Sequence, residues 1–136
     1  MDFKLTEEQE LIRKNIQEFC KKYVDPIAVE IDENGRHPAE LFQKLSEGGW
    51  MGIPIPEEYG GAGADYLTHA IAVEELSRSC ASTGFTVSTH AGITCMLIFL
   101  FGTEEQKRKY LTPMARGMHL GAFALTEPGA GTDVSS

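Results

Sequence analysis

The sequence predicts an all-α fold, a six-helix up-and-down bundle, and three observations carry that prediction. Apolar residues recur at spacings of three and four through most of the chain before Gly117. Two Thr-x-x-Gln capping boxes, at Thr6 and Thr103, spell helix starts. The helical period gives way to a strand-like one only after Gly117.

Each helix has its own signals. Thr6 with Gln9 opens the first, whose face is Leu11, Ile12, Ile16, Phe19, Cys20 and Tyr23. Pro26 breaks or restarts it, giving a short second helix to about Asp32 before the Asn34-Gly35 turn. Pro38 suits a first helical position, Leu41, Phe42 and Leu45 share one face of the third helix, and Gly48-Gly49 stop it. Trp50 to Asp65, rich in Pro and Gly, reads as a structured loop. Asp65 caps a fourth helix carrying Leu67, Ile71, Ala72 and Leu76. Ser82 caps a fifth that runs to about Phe101, apolar on nearly all sides and therefore expected to be central. The sixth starts at Thr103, carries Tyr110 and Leu111, and ends near Pro113.

A length of 136 residues with 42% hydrophobic and 24% charged residues fits one domain with one core. The formal net charge of −8 argues against nucleic acid and against an anionic membrane surface as partners. Cys20, Cys80 and Cys95 form an odd set within helical patterns, which fits reduced, buried thiols and a reducing compartment. The N-terminus, Met-Asp-Phe-Lys followed by Glu7, Glu8 and Glu10, lacks the basic and apolar regions of a secretory signal, so a cytoplasmic location is expected. The most apolar window, Ile93 to Phe101, is well short of the roughly 20 residues that span a bilayer. A buried helix is expected there.

The chemistry-bearing segment is the last one, Ala124 to Ser136. A strand-like run from His119 to Leu125 leads into a loop of three small residues, Gly129, Ala130 and Gly131, closed by Thr132 and Asp133. Glycine lets backbone approach a ligand and tolerates positive φ, and successive N–H groups with a hydroxyl suit a phosphate or the polar edge of a ring. On the motif alone a plain turn is the commoner reading. An isolated strand has no partners, so the expectation is an N-terminal piece of a longer protein, with a helical domain over 1–118 and the start of a truncated middle β-domain over 119–136.

Other features read as structural. Gly61-Ala-Gly63 follows a Pro-rich loop rather than a strand and has no third glycine at dinucleotide-loop spacing. His90 has no metal-ligand partner one turn away and reads as a hydrogen-bonded core or pocket-lining histidine; no metal site is expected. His37, His69 and His119 read as boundary residues, Glu74-Glu75 as a solvated or ion-paired face, and Trp50 and Phe85 as core aromatics.

The terminal Thr-Glu-Pro-Gly-Ala-Gly-Thr-Asp, from Thr126 to Asp133, closely resembles the first signature of the acyl-CoA dehydrogenase family. Leu5-Thr-Glu-Glu-Gln9, Ile55-Pro-Glu-Glu-Tyr-Gly-Gly-Ala-Gly63, Val73-Glu-Glu-Leu-Ser77 and Gly102-Thr-Glu-Glu-Gln106 look like further hallmarks in the family's order. The resemblance covers essentially the whole chain and is strongest to bacterial short-chain, butyryl-type members. It implies the family's helical N-terminal domain, ending at the first strand of a β-barrel domain, with a C-terminal four-helix domain beyond. It also implies FAD as cofactor, an acyl-CoA substrate desaturated at its α,β bond, electrons passed to electron-transferring flavoprotein, and a homo-oligomer, a tetramer in the family. Carried over by position, Phe123 and Leu125 resemble the residues that abut the isoalloxazine and Thr126 the one that bonds its polar edge. Gly131 and Thr132 resemble the turn at the pyrophosphate, with Thr132 also placed to touch the thioester ligand; serine is more familiar there, but threonine keeps the hydroxyl. Glu127 resembles the signature's acid and not the catalytic base, which is expected in the C-terminal part. An oxidase of the same superfamily, or a helical packing module inactive by itself, are the alternatives.

Overall fold

The computed structural model describes residues 4–135. Helix α1 (Glu7–Phe19) starts at the Thr6 capping box: the Gln9 N–H donates to Thr6 Oγ1 at 3.2 Å and the Thr6 N–H donates to Gln9 Oε1 at 3.0 Å. Pro26 does not break the chain. A wide π turn over Cys20–Val24 and a 3-10 turn over Asp25–Ile27 absorb the proline and carry the backbone into α2 (Ala28–Asn34). Gly35, at φ +57°, ends α2 in the left-handed region that glycine enters freely. Pro38 is the N-cap rather than the first helical residue of α3 (Ala39–Glu47).

Asp65 caps α4 (Tyr66–Ser79) by accepting from the Thr68 N–H at 2.7 Å. One residue, Cys80, joins α4 to α5 (Ala81–Val87), so the two helices fold back against each other. The expected cap at Ser82 is not formed; Cys80 holds that position in extended conformation and the helix begins at Ala81. A π turn over Ser88–Cys95 links α5 to α6 (Met96–Phe101) without interruption. The second capping box, Thr103 with Gln106, opens α7 (Glu104–Gln106), which runs through a third π turn, Lys107–Leu111, into α8 (Thr112–Ala115). Pro113 therefore lies inside the continuous helix, directly after the wide turn whose closing bond runs from the Thr112 N–H to Lys107 O.

Two clusters fill the interior instead of one. The larger joins Ile16, Cys20 and Val24 with Leu41, Leu45, Leu76 and Val87; the smaller joins Ile55, Tyr59, Cys95, Leu111, Met114 and Ala115. The second cluster exists because the Trp50–Asp65 loop is itself folded. Ala62 N–H donates to Gly52 O at 3.0 Å, Gly63 N–H to Ile55 O at 2.8 Å, and Ala64 N–H to Ile53 O at 3.0 Å, which drives Ile53 and Ile55 inward.

The helix from Ala81 to Phe101 is continuous over 21 residues, longer than the apolar window in the sequence implied, and with a mean hydropathy of 1.6 over an 18-residue window it has the length and composition to cross a membrane. Its Ser and Thr residues interrupt the apolar run in sequence but not the helix. It is also not central. Val87, His90, Ala91 and Cys95 face the body of the protein, whereas Phe85, expected in the core, is 72% exposed and Phe101 79%. Leu67 and Tyr110 likewise face outward. Trp50 packs on the larger cluster, with its ring 6.4 Å from that of Phe19. Glu75 is buried and ion-paired to Arg13 and Arg78, and Glu74 reaches Arg13 from the surface.

All three cysteines are free thiols, but only Cys20 and Cys95 are buried. Burial pushes the Cys95 thiol up to about 12 and raises that of Cys20. For Cys80 burial acts upward, yet hydrogen bonds from Ser82 and Thr83 at the helix start outweigh it and hold the thiol below its ordinary value. Iodoacetamide on the native chain is thus expected to label Cys80 first and the other two only on unfolding, as read by peptide mass spectrometry. Equal labelling rates for Cys80 and Cys95 would contradict this packing.

Candidate functional site

The segment singled out by the sequence leaves the helical body after α8. Gly117, at φ +70°, turns the chain, and Ser46 Oγ donates to its carbonyl at 3.1 Å. The Met118 N–H donates to Pro113 O at 2.9 Å. Four residues after Gly117, the Gly121 N–H donates to His90 Nδ1 at 2.9 Å. A Cβ at Gly121 would strike the Met114 side chain and lie 2.8 Å from Thr94 Cγ2, so only glycine allows the backbone this close.

Beyond Gly121 the chain is extended and open. Among the described residues no strand forms, since residues 120–126 have no neighbouring strand to pair with. Phe123 and Leu125, the predicted ring-facing residues, are 45% and 54% exposed. Pro128-Gly129 then reverse the chain: the Glu127 N–H donates to Ala130 O at 3.0 Å and the Ala130 N–H to Glu127 O at 3.2 Å. This turn sets Thr126 and Gly131 at its two sides. Gly131 and Thr132 follow, exposed, and Asp133 Oδ1 accepts from the Ser135 N–H at 3.1 Å. Ser136, and the opening Met1 to Phe3, lie outside the described residues.

The loop meets one requirement of a ligand cradle and not another. Around Gly129 and Gly131 nothing lies within 4 Å of where a Cβ would sit, so the space a ligand would use is open. Neither glycine has positive φ, which removes conformational freedom as the reason for their presence. Close approach is what remains. The hydroxyls of Thr126 and Thr132 and the N–H groups of Gly131 and Thr132 have no partners among the described residues, leaving a row of donors suited to phosphate or to a ring edge. No hydrogen bond among the described residues joins Phe123 or Leu125 to Gly131 or Thr132.

Two histidines differ from the sequence reading. His90 is fully buried and hydrogen-bonded as expected; besides Cys95 Sγ, 3.7 Å from Nε2, its partners lie 24 and 31 residues away, at Met114 O and Gly121 N. No sequence signal carries that pairing. His69, read as a boundary residue, is 5% exposed, and neither ring nitrogen has a partner among the described residues. It fits against Gly92, whose missing side chain makes the room. Desolvation lowers the pKa of both rings and so favours their neutral forms. No group of His, Cys, Asp and Glu suited to a metal ion occurs among the described residues.

A helical body presents at its edge an open, donor-lined Gly-Ala-Gly segment with room for a phosphate or a ring edge. Residues 6–118 match the family described as acyl-CoA dehydrogenase, N-terminal domain. The chain belongs to the acyl-CoA dehydrogenase family. It is 55% identical over 133 residues to the short-chain-specific acyl-CoA dehydrogenase of Clostridium acetobutylicum, covering 98% of this chain and 35% of that relative. Among solved structures it superposes on butyryl-CoA dehydrogenase from Megasphaera elsdenii with a TM-score of 0.92 at 41% identity, over 99% of this chain and 36% of the other. A structure described as the electron transferring flavoprotein of Acidaminococcus fermentans gives a TM-score of 0.95 at 48% identity, over 100% and 36% of the two chains. An acyl-CoA dehydrogenase from Bacillus anthracis complexed with FAD gives 0.86 at 37% identity, over 96% and 22%. The chain thus spans about a third of the length of the curated relatives it matches.

Proposed function

We propose that this chain is the N-terminal part of an FAD-dependent acyl-CoA dehydrogenase that desaturates a short-chain thioester such as butyryl-CoA and passes electrons to electron-transferring flavoprotein. The observation that carries the proposal is the segment Thr126–Thr132, whose sequence resembles the family's flavin signature and whose hydroxyls and glycines are open to a ligand. The names of the short-chain-specific relative, the butyryl-CoA dehydrogenase and the FAD complex support substrate class and cofactor. Domain limits of 1–118 and 119–136, an assembled homo-oligomer and a cytoplasmic location belong to the same reading.

In this reading FAD, when bound, accepts the electrons of the desaturation. The chain's own residues supply position. Phe123 and Leu125 offer apolar surface to the ring, Thr126 donates its hydroxyl to the ring's polar edge, and Gly131 and Thr132 let backbone N–H groups approach the pyrophosphate. Thr132 Oγ1 also reaches toward the thioester ligand. Glu127 is tied into the turn through its backbone and is not the base; that carboxylate lies in the C-terminal part. Removing a weakly acidic α-proton needs a dry base and a polarised carbonyl, which a solvent-open segment alone cannot provide.

The test is anaerobic addition of butyryl-CoA to the purified full-length protein, in which the flavin absorbance bleaches. Absence of bleaching with every acyl-CoA tried would count against the proposal, and peroxide formation without an acceptor protein would favour the oxidase alternative. The 136 residues by themselves are expected to hold FAD weakly or not at all and to self-associate. The exposed Met118, Leu120, Phe123 and Leu125 form an apolar edge that has no cover.

A further inference from the structure

We propose that His90 is a positioning residue for the flavin-facing segment, its imidazole fixing the point at which the chain leaves the helical body. The inference rests on the reading of function given above. Gly121 N–H can only donate, so His90 Nδ1 must carry the lone pair that accepts it at 2.9 Å. The ring proton is then on Nε2, which donates to Met114 O at 3.0 Å. One neutral tautomer satisfies both bonds, and a doubly protonated ring breaks the bond to Gly121. The site favours that tautomer, because the ring is fully buried and desolvation disfavours its charged form.

The local backbone is built to aim this ring. His90 lies in the π turn Ser88–Cys95, where Thr94 Oγ1 donates back to Thr89 O at 3.2 Å. Wide turns of this kind rotate side chains out of the α-helical register and recur at functional sites. The bond to Gly121 is also the last hydrogen bond to the helical body before the loop: among the described residues, those from 122 to 132 bond only through the Glu127–Ala130 pair. Thr126 is five residues further on. Any displacement at Gly121 is therefore carried without correction to the residues that meet the flavin.

Two variants separate this role from simple core packing. In His90→Asn the side-chain oxygen falls near the place of Nδ1 and keeps an acceptor for Gly121, but does not reach Met114 O. In His90→Gln the amide falls near Nε2 and keeps the bond to Met114 O, but leaves Gly121 N–H without an acceptor. Each loses one buried bond, so their thermal midpoints should fall by similar amounts. Amide hydrogen exchange on this chain should find Gly121 protected in wild type and His90→Asn and unprotected in His90→Gln. FAD titration of the full-length protein should give a Kd raised about fivefold or more in His90→Gln and changed less than about twofold in His90→Asn. Equal exchange at Gly121 in the two variants overturns the tether. Loss of FAD affinity that follows the thermal midpoint instead of Gly121 protection overturns the positioning role. If the wild-type full-length protein binds no FAD while the exchange pattern holds, the tether stands and the flavin assignment fails.

Discussion

Alanine in place of Gly61 is expected to cost about 3 kcal/mol or more, at the upper end of what overpacking does, because the added methyl has nowhere to go. Its Cβ would fall on the carbonyls of Ile55 and Gly52. Both are backbone atoms held by the loop's own hydrogen bonds, Gly63 N–H to Ile55 O and Ala62 N–H to Gly52 O. A flexible side chain can swing aside; these cannot. The loop would have to open, withdrawing Ile53 and Ile55 from the interior and unseating Tyr59, whose hydroxyl donates to Glu104 at 2.9 Å. Urea denaturation followed by circular dichroism should register the loss, and Gly131→Ala is the control. Nothing lies within 4 Å of the Gly131 Cβ position, so its midpoint should match wild type. A Gly61→Ala variant as stable as wild type would mean that the loop is not folded as described.

Leu76→Ala is expected to remove about 2 to 5 kcal/mol, which is a large share of a typical domain's stability of about 5 to 15 kcal/mol. Leu76 is fully buried on α4 in the larger cluster, together with Ile16 of α1, Cys20 of the π turn after it, Leu45 of α3 and Val87 of α5. Truncation leaves a void among four helices, two of them, α1 and α4, held at their starts by caps at Thr6 and Asp65, so collapse around it is limited. Chemical denaturation gives the free energy directly. Leu67→Ala, on the same helix but 51% exposed, should change stability far less, and equal losses at the two positions would refute the assigned faces of α4.

Much of the helical architecture was legible because its signals are local. A capping box needs only residues three apart, and Thr6 with Gln9, Thr103 with Gln106 and Asp65 before Thr68 all cap as read. Boundaries failed where two local signals competed. Ser82 has the chemistry of a cap, but the sharp reversal after α4 puts Cys80 in the extended conformation that a cap requires. Pro26 signals a break or restart and Pro113 a nearby helix end, yet π and 3-10 turns carry the backbone through Pro26 and a π turn precedes Pro113 inside a continuous helix. Burial was read less well. An all-round apolar helix is central only if neighbours cover every side, and the long helix ending at Phe101 has neighbours on one side alone. His69 gave no sign that it would be buried without a hydrogen bond, since the room for it comes from Gly92, 23 residues later in the chain.

The sequence by itself determined the family and the capped helix starts at Thr6, Asp65 and Thr103, and it marked the Gly-Ala-Gly loop, all properties carried by residues close together in the chain. The tertiary structure alone decided where that loop begins. The bond from Gly121 to His90, the fit of Gly121 between Met114 and Thr94, and the Ser46 contact at Gly117 each join residues 7 to 71 positions apart. Hydrogen bonds and close contacts act over a few ångströms of space whatever the separation along the chain. A pattern of neighbouring residues contains the chemistry of such groups but not their meeting.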